Sequence, residues 1–388
     1  MARAKMMEII IQNTIIGNLS SPLDQDNEYK WQEAFDALET YQFKNSFVSQ
    51  KIQNVFDNLT YRSISFQRAL LELAYSNYPK AFIPQVQSIL NQTTHPKIFA
   101  MSAEYLMQAS EDSLLKHNLL EILFAKFGDT VYENPILYSL LQRLTEPQQF
   151  VTQQECIYEI MKPTFLANQK VVFSFQRKNR NYPGMVLVRD SSGNFLKDSS
   201  GQFFHIPQLA RSISNLPGYL TNGNTPQGIF SMNGWGVSMS AIIGPTKNVQ
   251  MGMPIEVSLQ QFFHDSTLSD STWSLEYYQQ LIPKNIQGYT GLYEAYYAGL
   301  AGRTEIIAHG TTIDPELYAN QPYYPLTPTQ GCLCTKEIWD GNRIESDQQK
   351  LVNALQRLGE PIGFVVVIEL DDKSSPVILQ DLKPFLPK

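Results

Sequence analysis

Two side chains in the last quarter of the sequence could do covalent chemistry together. His309 closes the run Glu305 to His309, and Cys332 follows Gly331 in the segment PTQGCLC, 23 positions further on. A thiol attacks as thiolate, and a neighbouring imidazole is the common device for generating one at neutral pH. The glycine before the cysteine permits a left-handed turn and close backbone approach, so that amide N–H groups can point at a developing oxyanion. The chemistry indicated is acyl transfer through a thioester. Other readings of the same residues stand beside it, because free cysteines are mostly small buried hydrophobes. Cys332 and Cys334 also form a Cys-x-Cys that could be half a metal site. The third cysteine, Cys156, has no histidine near it at zinc-ligand spacing, which makes metal the weaker alternative.

His309-Gly310, a variable Pro- and Tyr-rich loop and then Thr329-Gln330-Gly331-Cys332 resembles the catalytic motif of the L,D-transpeptidases, cysteine enzymes that act on peptidoglycan stem peptides. Upstream, in Gly223-Asn224-Thr225-Pro226-Gln227-Gly228-Ile229-Phe230, the run from Thr225 resembles the Thr-Pro-x-Gly-x-Phe part of the Gly-x-x-Thr-Pro-x-Gly-x-Phe segment of the same family. The resemblance covers roughly residues 168 to 388. It implies Cys332 as nucleophile, His309 as general base, the Gly310 carbonyl as holder of the imidazole tautomer, and the Gly331 and Cys332 amides as oxyanion donors. Thr329, Gln330, Tyr324 and Arg303 are the candidate substrate contacts. No metal or organic cofactor is implied; the implied partner is a peptidoglycan stem peptide and the implied location the periplasm or cell envelope. The chain departs from the family where His often precedes Gly-Cys and Arg or Asn follows two residues later, since Gln330 and Cys334 stand there. Two rivals remain: a non-catalytic envelope protein that binds peptidoglycan or a partner on the same fold, and a general cysteine peptidase. Transpeptidase, carboxypeptidase and crosslink hydrolase would share the thioester and differ in acceptor.

Composition narrows the rest. A chain of 388 residues, 43% hydrophobic and 12% aromatic, is globular and long enough for two cores. A net charge of −7 with no basic run beyond Arg177 to Arg180 argues against a nucleic-acid surface. Three cysteines are too few for a disulfide scaffold, and no apolar run reaches the length of a transmembrane helix. Arg3 and Lys5 precede MMEIIIQNTII, where Glu8, Gln12 and Asn13 interrupt the apolar stretch. This makes a poor signal peptide and leaves a cytoplasmic location as the alternative to the envelope.

The fold class expected is α+β in two domains. Residues 1–150 read as an all-α, solenoid-like stack of helical hairpins, offering a surface to a partner protein. Phe66, Ala69, Leu70, Leu73 and Ala74 share one helical face, as do Phe82, Val86, Ile89 and Leu90, and then Phe99, Ala103, Leu106 and Met107. Pro96 suits the first turn of its helix, and SNYPKAF and THPKIF read as two related helix starts. Residues 151–168 read as a linker, after a boundary marked by Pro147 and closed by Pro163. Residues 169–388 read as a mostly β, sandwich-like mixed sheet, and the chain from about residue 165 is expected to fold without the helices. VVFSF and MVLVRD are strands joined at Tyr-Pro-Gly, SSGNF and SSGQF are hairpin loops, and GFVVVIEL is a strand buried on both faces. Glu305 to His309 is the strand that delivers the imidazole, and Trp339-Asp340-Gly341 a turn. Ser346 caps a helix with Gln349 at the capping-box position and Gly359 beyond its end. Tyr289, Tyr293, Tyr296 and Tyr297 read as packing residues, with one or two left to line a groove.

Overall fold

A computed structural model of the chain describes residues 2–56, 59–110, 112, 114–146, 150–268, 272–340 and 342–387. Pro147 and Gly341, which the sequence marks as boundary and turn, lie outside them. The chain divides into two units, one of Met1–Pro147 with Ile213–Leu220 and one of Gln148–Ser212 with Thr221–Lys388.

The first unit is helical. Its main helices are α1 (Glu28–Tyr41), α2 (Ser46–Phe56), α3 (Ile64–Asn77), α4 (Ile83–Gln92), α5 (Pro96–Ala109), α6 (Leu115–Phe127) and α7 (Pro135–Thr145). Local signals set the starts: Ser63 accepts from the Phe66 amide at 3.3 Å, Asn134 accepts from the Ile136 and Leu137 amides, and Pro96 occupies the first turn of α5. The apolar faces read from the sequence are buried, apart from the half-buried Met107. α1 packs on α3, α3 on α5, and α5 on α7, as in a stack of hairpins. SNYPKAF is a connection and not a helix start, because α4 begins only at Ile83. Among the described residues, no helix is long and apolar enough to cross a membrane. The segment Ile213–Leu220 belongs here despite its place in the sequence: Tyr219 donates to Glu104 Oε1 at 2.8 Å, and Arg143 Nε reaches the same oxygen at 2.6 Å.

The second unit is built on one mixed sheet. Its strands are β1 (Lys170–Arg177), β2 (Gly184–Arg189), β3 (His205–Gln208), β4 (Gly228–Gly236), β5 (Asn248–Gly252), β6 (Ala308–Gly310), β7 (Leu333–Thr335) and β10 (Ile362–Asp371), in the order β3-β2-β1-β10-β4-β5-β6-β7. β8 (Glu337–Asp340) and β9 (Asn342–Ser346) form a separate hairpin, so Trp339 and Asp340 end a strand. β10 lies parallel to β1 and antiparallel to β4, which explains why its β-branched run is apolar on both faces. Leu209, just past β3, exchanges both backbone hydrogen bonds with Cys334 of β7 at 2.7 and 2.8 Å. The two ends of the sheet therefore meet. That corrects the expected sandwich: one sheet closing on itself satisfies its own edges and needs no second sheet to face it.

Helices cover the two faces. One face packs Val172, Val365, Val367, Phe230 and Leu333 against Leu351 and Leu355 of α10 (Asp347–Gln356). The other packs Phe173, Phe175, Phe364 and Val366 with Cys156, Ile157 and Ile160 of α8 (Gln153–Ile160) and with three tyrosines around α9 (Glu294–Leu300), namely Tyr289, Tyr293 and Tyr296. The supposed linker is thus a core helix, begun by a capping box in which Thr152 and Glu155 bond each other's backbone amides at 3.2 and 2.8 Å. Proline and glutamine content misled there, because the apolar positions of an eight-residue helix are too few to show a period. The expectation that residues 165–388 fold alone changes with it. That fragment lacks α8 and should expose apolar surface, measured as binding of an apolar dye and loss of a cooperative melt. In the full chain, Ile157→Ala should cost about 2–5 kcal/mol in a denaturant titration.

Candidate active site

His309 and Cys332 arrive on neighbouring parallel strands. β6 and β7 pair with Ala308 opposite Leu333, His309 opposite Cys334 and Gly310 opposite Thr335. Ala308 and Leu333 face the α10 side of the sheet, so alternation puts Ile307, His309, Cys332 and Cys334 together on the other. The strand at His309 is shorter than the sequence suggests: Glu305 has φ +61° and donates its amide to Glu256 Oε1 at 2.7 Å, which bends the chain before Ala308. The loop between the two residues folds back over its own strands, burying Tyr318, Tyr323 and Leu326 on Leu209, with the Arg211 guanidinium 5.0 Å above the Tyr323 ring.

The turn that carries the thiol is held from below. Gly331 has φ +117°, a conformation that disfavours any side chain, and a Cβ there would lie 2.2 Å from Arg303 Nη2 and 2.6 Å from the Gly223 carbonyl. Thr225 donates to the Gly331 carbonyl at 2.7 Å, and Arg303 Nη1 donates to the Asn224 carbonyl at 2.7 Å. Asn224 Oδ1 in turn accepts from the Ser212 amide at 2.8 Å. The two sequence segments that carry the family resemblance therefore meet, through the Thr225 hydroxyl on the Gly331 carbonyl.

Several assigned roles change in this geometry. Thr329 is buried and braces the turn, accepting from the Gly331 amide at 3.1 Å and donating to the Cys332 carbonyl at 2.9 Å. The Gly331 amide is therefore already engaged. Only the Cys332 amide remains as oxyanion donor from the expected pair, with no protein acceptor among the described residues. Arg303 is buried beside the turn, where it donates to the Asn224 carbonyl. Gln330 is exposed at the tip, free to meet a ligand. Tyr324 is exposed and donates to Glu316 Oε1 at 2.7 Å.

His309 Nδ1 lies 2.6 Å from the Gly310 carbonyl, so that nitrogen carries the proton and Nε2 keeps its lone pair. The Gly310 carbonyl also accepts from the Gly244 amide at 2.8 Å. Burial holds the imidazole pKa below its ordinary 6.5, against the opposing pull of the Gly310 carbonyl and Glu337, so the ring is neutral at neutral pH. Cys332 is the one partly exposed cysteine; Cys156 and Cys334 are buried. Its thiol rests against the Glu305 carbonyl at 3.4 Å and the Ile307 amide at 3.5 Å, with no hydrogen bond to His309 in this state. Burial raises its pKa, while the Ile307 amide and the Arg303 charge pull the other way. Cys334, directly opposite His309, is pushed up to about 12 by burial.

Sequence reasoning missed the supports of this pair. Gln348, fully buried on α10, donates to the Ala308 and Lys247 carbonyls and accepts from Thr335, tying β6 to β7. Glu337 lies against Gly310, where an added Cβ would come within 2.6 Å of its Oε2. The signal for Glu337 was a lone carboxylate beginning a strand; for Gln348 there was none, since polar residues are ordinary in the first turn of a helix. No protein-family model, curated protein or solved structure matches the chain.

Two outcomes check this geometry. Gly331→Ala forces both a strained φ and a clash with Arg303, and should lower the melting temperature and slow alkylation of Cys332 by a small thiol reagent. For His309 the folded pKa lies below the unfolded one, so the unfolded chain binds the proton more tightly. Its stabilising contribution is complete above about pH 6.5 and is lost as pH falls through that value toward the folded pKa. His309→Gln should flatten that part of the pH dependence, measured by urea unfolding between about pH 7.5 and about pH 5.

Proposed function

We propose that the second unit is an acyl-transfer enzyme of the L,D-transpeptidase kind, acting on peptidoglycan stem peptides in the periplasm or cell envelope. The observation that carries this reading is the 2.7 Å bond from Thr225 to the Gly331 carbonyl, which joins the Thr-Pro segment to the Gly-Cys turn. The His309 tautomer adds support, because an unprotonated Nε2 is what a general base requires.

In the proposed reaction the Cys332 thiol turns from the Glu305 carbonyl toward His309 and passes its proton to Nε2. The thiolate adds to the carbonyl of an L-centre, and the oxyanion is met by the Cys332 amide. Collapse expels the D-residue beyond it as an amine, which takes the proton from the imidazolium, and an acceptor amine or water then cleaves the thioester. Arg303 stabilises the thiolate from below the turn. The helical unit, with its stack of hairpins, would position the enzyme on a partner protein. A second reading, a binding protein without catalysis, is favoured by the resting thiol being hydrogen-bonded to backbone rather than to His309.

Intact-protein mass spectrometry after incubation with a carbapenem-type β-lactam separates the two, because only a live nucleophile in a substrate-shaped site is acylated. One adduct per chain is expected, absent in Cys332→Ala and present in Cys334→Ala, whose thiol is buried. An adduct that survives Cys332→Ala and disappears in Cys334→Ala would place the nucleophile on the wrong sulfur. No adduct on the wild-type chain would favour the binding protein.

A further inference from the structure

We infer that Glu337 is a positioning residue for His309: a buried carboxylate, packed against Gly310, whose charge is compensated when the imidazole takes up the thiol proton. This rests on the reading of Cys332 and His309 given above. Glu337 begins β8 and is 4% exposed. Its oxygens accept from the Trp339 indole at 2.9 Å, the Ser346 hydroxyl at 2.7 Å and the Thr246 amide at 3.3 Å, all neutral donors. Among the described ion pairs, none includes it. A buried carboxylate is normally paired with a cation, and three neutral hydrogen bonds hold this one in place without cancelling its charge.

The packing leads from Glu337 to the imidazole. Gly310 and Gly244 both leave room for the carboxylate where a side chain would collide, at 2.6 Å from Oε2 and 2.4 Å from Oε1 respectively. The two glycines are bonded to each other through the Gly310 carbonyl, the same oxygen that meets His309 Nδ1. The carboxylate thus fixes the peptide that fixes the tautomer, and its field acts on the ring. Of the other charged groups nearby, Lys336 pairs with Glu345 and Asp347 with Lys350, while the Arg343 guanidinium donates to Thr246 and Gln349, both neutral. Cys334 faces both residues from β7 and keeps its proton. His309 is the titratable ring bonded to the Gly310 peptide on which the carboxylate packs.

In the transfer the Cys332 S–H bond breaks and an N–H bond forms at His309 Nε2, so a thiolate and an imidazolium appear together. Arg303 lies near the first charge and Glu337 near the second. The test is an NMR titration of the His309 ring in the full chain, which needs no substrate. The midpoint should fall by about one pH unit in Glu337→Gln and recover part of the way in Glu337→Asp. The same order should appear in the pH profile of Cys332 alkylation, with melting temperatures close to wild type. Equal midpoints in folded Glu337→Gln and wild type would overturn the proposal. If Glu337→Gln does not fold, the wild-type chain decides: the Glu337 carboxyl carbon must shift at the His309 midpoint, and a carbon that does not respond there overturns it equally. A normal NMR result with no acylation would instead fault the proposed function and leave this coupling standing.

Discussion

The bond from Thr225 to the Gly331 carbonyl fixes where the thiol stands, and most of the second unit serves to bring its two ends together. Thr225 enters β4 and Gly331 enters β7, strands separated in the sheet by β5 and β6. Without that hydroxyl a buried carbonyl would lose its partner, a cost of about 1–3 kcal/mol. Arg303 then fills the space that a side chain on Gly331 would need, and Thr329 closes the turn from the other side. Closure of the sheet through Leu209 and Cys334 makes this arrangement rigid, because β7 is held on both edges.

The resting site is electrically quiet by construction. Burial raises the thiol and lowers the imidazole, so neither carries charge at neutral pH. Moving one proton creates two charges where water is scarce, and such a pair forms only if the surroundings are arranged for it in advance. In the proposed reaction Arg303, beside the Gly331 turn, and Glu337, packed on Gly310, would meet those two charges. The thiol rests against the Glu305 carbonyl rather than against His309.

The sequence made the candidate pair legible through residue type and short spacing: Gly before Cys, His before Gly, and a loop between them that must return; the structure sets their strands side by side. It also showed the helix periods and the β-branched run of β10, where each side chain reports its own burial. It did not show what depends on which backbone groups are already bonded. The Gly331 amide looked free and is taken by Thr329; Arg303 looked like a substrate contact and lies under the turn. Closure of the sheet was equally hidden, since β6 and β7 are three residues each and their partners are set by contacts far apart in the chain. The eight residues of Ile213–Leu220 leave no compositional trace of joining the helical unit.

The central claim is that Cys332 forms a thioester with a stem peptide and releases the residue beyond the L-centre. It is tested most directly by incubating the full chain with a purified tetrapeptide stem and following both the released D-residue and the mass of the protein. The account predicts release that requires Cys332 and His309, with an acyl adduct on Cys332 trapped by acid quench. Binding of the stem without release or adduct, or release that persists in Cys332→Ala, would contradict it.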